Sequence, residues 1–124
     1  MNLVRALAIG CLVLLPARAE FHAVPAQKKA VDIDGLLVPE RQNIVCFYAM
    51  NNSICRSLYP EFQKLGARPN LEFHAIDVGT VQSATSKKYA ITSVPYFKIY
   101  SIRGELVSEG APAYKQVTGM MQAP

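Results

Sequence analysis

Residues 43–60 constrain the fold of this chain more than any other stretch. Asn43-Ile44-Val45-Cys46-Phe47-Tyr48 is almost continuously apolar, the pattern of a strand covered on both faces. Asn51-Asn52-Ser53 follows, three polar residues that favour turns and helix N-caps. Ile54, Leu58, Phe62 and Leu65 then recur at helical spacing and predict a helix from about Ser53 with these four on its inner face. Cys55 falls in the first turn of that helix, where the backbone dipole favours a thiolate.

Around this centre the chain divides simply. Arg5 precedes an apolar run over residues 6–15, which is too short to span a bilayer, and Pro16-Ala17-Arg18-Ala19 closes it with small residues. Charge, apolar run and small-residue exit in that order predict a signal peptide over residues 1–19 and a mature domain over residues 20–124. The expected location is extracellular, periplasmic or a secretory lumen, with no transmembrane span after cleavage. The mature part carries 11 basic and 9 acidic side chains, a balance that gives no electrostatic case for binding nucleic acid. Its length suits one domain with one core, and a monomer is expected.

Residues 20–24 read as an edge strand ended by Pro25. Ala30, Ile33, Leu36 and Leu37 suggest a helix over residues 26–37, against Asp34-Gly35, which suggests a turn. Residues 71–76 alternate as a strand, placing His74, like His22, on a strand surface. Thr80 offers an N-cap for a helix through Val81, Ala84 and Tyr89. Residues 96–100 and 105–109 form a hairpin about Ser101-Ile102-Arg103-Gly104, Gly110-Ala111-Pro112 breaks it, and Pro112 is the first position of a last helix with Ala113, Val117, Met120 and Met121 inward. The expected fold is α/β, a central mixed sheet flanked by helices.

The chain resembles thioredoxins and protein disulfide isomerases on particular residues. Phe47-Tyr48-Ala49 matches the strand entering their active site, Cys55 falls on their second cysteine, and Pro60 on their helix proline. Lys88-Tyr89-Ala90-Ile91-Thr92-Ser93-Val94-Pro95 is similar to the segment ending in their cis-proline. The span from Asp77 to Pro95 is longer than in a compact thioredoxin and implies a small insertion. The resemblance covers residues 20–124 and implies a thioredoxin-like fold with a cis bond at Pro95. It places an extended peptide or protein partner in a groove beside Pro95, lined by Asn51, Ser53, Ile54, Val94, Pro95 and Gly110. It implies no cofactor and no metal.

The departures fall where the chemistry is done. Asn52 stands at the position of the first, nucleophilic cysteine, and Cys46 at that of the buried acid that assists the second. A disulfide oxidoreductase attacks with one thiolate and releases its substrate with a second thiol, and Cys55 alone cannot do both. Asn52 reads most simply as an N-cap, Cys46 as a small buried hydrophobe. Three readings follow in order. The first is a binding module that keeps the groove without dithiol chemistry. The second is a one-thiol enzyme using Cys55 for thiol–disulfide exchange or peroxide reduction. The third is a displaced dithiol, Cys46 with Cys55. Asn51-Asn52-Ser53 is also formally an N-glycosylation sequon.

Overall fold

The computed structural model describes residues 20–123, so the expected signal peptide lies outside the described residues. Within them, five strands form one sheet: β1 (Glu20–Val24), β2 (Gln42–Tyr48), β3 (Leu71–Asp77), β4 (Tyr96–Tyr100) and β5 (Leu106–Glu109). Their order is β1-β3-β2-β4-β5, with β1, β3 and β2 parallel and β4 and β5 antiparallel to their neighbours. Three described helices accompany them: α1 (Ser53–Gly66), α2 (Ala84–Lys88) and α3 (Ala111–Gln122). None of the described helices is long and apolar enough to cross a membrane.

The apolar run at residues 43–48 becomes β2, in the middle of the sheet, and its side chains alternate between two cores. Ile44, Cys46 and Tyr48 pack with Phe62 and Leu65 of α1 and Ala113 and Val117 of α3. Val45 and Phe47 pack on the opposite face with Val31, Ile33, Ile76, Ile91 and Tyr100. Each fully buried Val, Ile, Leu or Phe among them contributes about 1.5–3 kcal/mol. At the far end of α1, a Cβ on Gly66 would lie 2.6 Å from the Phe21 Cβ, so only glycine lets the helix press this closely on β1. Arg68, just beyond α1, donates to the Met120 and Ala123 carbonyls at the end of α3, placing a cation where the helix dipole favours one.

Four expectations change. Residues 26–37 form no helix: Leu36 and Leu37 both turn back to the Ile33 carbonyl, and the rest is an irregular strap. Long-range partners fix that strap, since Thr85 Oγ1 accepts from Val31 N at 3.0 Å. The Tyr89 hydroxyl accepts from Ile33 N at 2.9 Å and donates to the Val31 carbonyl at 2.8 Å. Thr80 caps no helix; α2 starts four residues later, with Ser83 as its N-cap, because Thr80 O and Oγ1 are already used to build the preceding turn. On α1 the inner face is Cys55, Phe62, Leu65 and Gly66. Leu58 is half-buried and Ile54 is 50% exposed, because the inward stripe runs through Cys55 and Phe62 and Ile54 lies about 100° round the helix from Cys55.

The fourth concerns His74. It is buried at 1% exposure, because β3 lies inside the sheet with both faces covered. Its Nε2 bonds to Asn43 Oδ1 at 2.8 Å. His22, on the edge strand, is half-buried and meets the Glu72 carboxylate at 2.7 Å, a pairing the sequence spacing did not suggest.

The Tyr89 hydroxyl supplies both a donor and an acceptor to buried backbone of the strap. Tyr89→Phe is therefore expected to cost about 1–3 kcal/mol and to lower Tm by roughly 5–15 °C. Thermal unfolding followed by circular dichroism checks this, and an unchanged Tm would remove Tyr89 as the anchor of the strap.

Candidate functional site

The C-terminal ends of β2 and β3, the start of α1 and the segment before β4 converge at one end of the sheet. β2 delivers the chain to Ala49, and Met50 and Asn51 turn it into α1. Asn52 is the N-cap: it adopts an extended backbone, and its Oδ1 accepts from Cys55 N at 3.0 Å. This satisfies one of the donors that every helix start leaves open. Its amide nitrogen donates to the Val94 carbonyl at 3.4 Å. The Val94–Pro95 peptide bond is cis. A single side chain thus joins the start of α1 to the loop that precedes β4.

Cys55 is fully buried beneath this junction, in the same core as Cys46. Both cysteines are free. Burial pushes the Cys55 thiol up, opposed only in part by a hydrogen bond from the Ala49 backbone. Cys46 is pushed well up, first by burial and then by the neighbouring Cys55. The activation expected from a helix N-terminus is therefore outweighed by desolvation, and both thiols stay protonated at neutral pH.

An open cavity of about 270 Å³ adjoins the junction, lined by Ala49, Asn51, Val78, Gly79, Thr80, Val81 and Val94. Of the residues expected in the groove, Asn51 and Val94 face this cavity together, and Asn52 bonds to Val94. Ser53 and Ile54 lie on the first turn of α1, both exposed. Gly110 caps α3 at a φ of 71°, beside the Tyr96 ring that follows Pro95. The loop Val78-Gly79-Thr80-Val81 is a wall of the site that sequence reasoning missed; the extra length between Asp77 and Pro95 was its only signal. Met50, Ile54 and Val81 are 46%, 50% and 41% exposed. Large apolar side chains left in water beside a cavity are what a partner-binding surface presents.

The buried thiols give a direct expectation. At pH 7.5 a chromogenic disulfide reagent should react with the folded protein at least ~100-fold more slowly than with the urea-unfolded chain, which should yield two thiols from the described domain. Rapid reaction of one thiol in the folded state would mean that Cys55 is accessible.

The family model described as Thioredoxin matches residues 26–121 of this chain. No curated protein matches it in sequence. Among solved structures, it is similar to a thioredoxin of Schistosoma mansoni at 24% identity and a TM-score of 0.59, covering 82% of this chain and 94% of that one. Thioredoxin F from spinach chloroplast (short form) is 17% identical with a TM-score of 0.63, covering 88% of this chain and 96% of that one. The thioredoxin of Fasciola hepatica is 22% identical with a TM-score of 0.58, covering 79% and 97%. At these identities the likeness is one of fold.

Proposed function

The chain belongs to the thioredoxin family, and from that premise we propose that it is an exported member without dithiol chemistry that binds extended peptide or protein segments. The observation that carries this reading is the role of Asn52. It stands where the family resemblance puts the attacking cysteine, and its amide serves as a helix cap and a bridge to Val94. An amide cannot displace sulfur from a disulfide. The remaining thiol, Cys55, is buried and held protonated, so it supplies little thiolate. The position of the family's buried acid is Cys46, a second protonated thiol.

Support for binding comes from the surface beside that junction. Val81 lines the cavity with Asn51 and Val94, and exposed Met50 and Ile54 follow in the chain from its lining residue Ala49 to the first turn of α1. The backbone before Pro95 is the edge to which a partner strand would add, giving affinity through main-chain hydrogen bonds and selectivity through side chains. Export rests on residues 1–19, with their single basic residue before an apolar run and a small-residue exit. The partner is met as a monomer in an extracellular, periplasmic or secretory-lumen setting. The burial of Cys55 weighs against the one-thiol reading. The free state of Cys46 and Cys55 weighs against the displaced dithiol.

Two measurements test the proposal. Insulin-disulfide reduction should be close to background for the wild type, and Asn52→Cys should raise it by at least on the order of tenfold by supplying the attacking thiolate. Wild-type turnover abolished by Cys55→Ala would establish the one-thiol enzyme in its place. Titration with reduced, alkylated insulin B chain, an extended peptide without free thiols, should shift the amide resonances of Met50, Asn51, Val81 and Val94. No shift at millimolar peptide would sink the binding reading.

A further inference from the structure

At the end of the sheet away from the groove lies a polar cluster that the proposed function does not use. Glu72 and His74 sit on β3, buried at 3% and 1% exposure. His22 of β1 lies opposite His74 in the parallel pairing. Their rings stack with centroids 4.8 Å apart at 13° between planes. His22 Nε2 meets Glu72 Oε1 at 2.7 Å, and Arg41 Nη1, from the loop before β2, lies 3.5 Å from Glu72 Oε2. Neutral Asn43 of β2 completes the cluster. Its Oδ1 accepts from Val38 N at 3.0 Å and faces His74 Nε2 at 2.8 Å. On the other face of the sheet β1 meets α1 through the apolar Phe21.

The hydrogen bonding fixes the state of His74. Asn43 Oδ1 can only accept, so the ring proton sits on Nε2 and Nδ1 is a bare lone pair. That Nδ1 is buried with no partner among the described residues, and Arg41 Nη1 is buried without a hydrogen bond as well. A proton added at Nδ1 becomes a donor with no acceptor. It also creates a cation stacked against His22, beside a carboxylate that already meets both His22 and Arg41. Burial first, and His22 second, lower the His74 pKa to about 4. β1 is the element best able to relieve this, since none of residues 21–24 is fully buried and both cores are built without them apart from part-buried Phe21 and Val24.

We propose that β1 is an acid-released strand: protonation of His74 beneath His22 undocks β1 from β3 while β3, β2, β4 and β5 stay paired. The sign follows from linkage. Docked His74 binds its proton less tightly than free His74, so docking is at full strength above about pH 6.5 and weakens as the pH falls toward 4. The exposed edge of β3 would then be a free template for another extended segment.

Amide hydrogen exchange on the full chain, corrected for intrinsic rates, tests this between pH 7.5 and 4.5. Protection over residues 20–24 should fall by up to about 50-fold relative to β2 and β4, the upper limit set by a shift from 6.5 to about 4. In His74→Gln, which keeps a polar group but cannot titrate, that fall should vanish. Loss of protection in β1, β2 and β4 together would mean global unfolding and overturn the proposal. So would a pH-independent β1, or a fall retained in His74→Gln, which would show that His74 is not the group that takes up the proton. Should His74→Gln not fold, His22→Gln provides the second reading. It keeps a donor for Glu72 and removes the stacked imidazole, so the fall should shrink, and an unchanged fall would count against the latch.

Discussion

The burial of β2 on both faces is the constraint from which the remaining structure follows. A strand buried on both faces from Asn43 to Tyr48 must be hydrogen-bonded along both edges, or its peptide groups would be stranded in the core at a cost of about 1–3 kcal/mol each. β3 supplies one edge in parallel and β4 the other in antiparallel. The two faces then need two covers, and α1 with α3 form one while the strap and the segment around α2 form the other. The site is a by-product of that arrangement. Where β2 runs out of partners at Tyr48 the chain must turn, and a capping residue at the start of α1 meets the approach to β4.

The central strand, the helix after it, the hairpin and the last helix are legible in the sequence, because each is set by a local period or a turn residue. Residues 26–37 are not, for a physical reason. Ala30, Ile33, Leu36 and Leu37 fit a helical stripe, yet Ile33 and Val31 are claimed by hydroxyls of Tyr89 and Thr85 more than fifty residues away. No local pattern carries that information. Ile54 fits the apolar stripe of α1 equally well, and its exposure depends on which rotation of the helix the sheet selects, here the one that turns Cys55 inward. His74 reads as a surface residue because a polar side chain in an alternating strand ordinarily faces water; here Asn43 from the adjacent strand receives it. At the site, the residue types at 51, 52, 55, 94 and 95 are readable, whereas the wall from Val78 to Val81 belongs to a loop whose path only the fold decides.

The chemistry of the site turns on a balance between two effects of position. The first turn of a helix favours a thiolate through a local electrostatic attraction that falls off within the turn. Desolvation acts on the same sulfur in the opposite direction, and for a fully buried group it outweighs that attraction. Cys55 therefore has the address of an activated thiol without its properties. Asn52 strengthens this outcome, since a cap that satisfies the Cys55 amide and also ties down Val94 closes the junction above the sulfur.

The strap has a consequence for how the chain reaches this state. Its bonds to Tyr89 join residues 56 and 58 positions apart. Closing a loop of that length costs about 3–4 kcal/mol of chain entropy before either bond is made. Two hydrogen bonds return about 1–3 kcal/mol between them, less than the closure demands. The strap therefore cannot nucleate folding. It settles only after β2, β3 and β4 have assembled and brought Tyr89 within reach, so the covering of one face is the late event in the assembly of this domain.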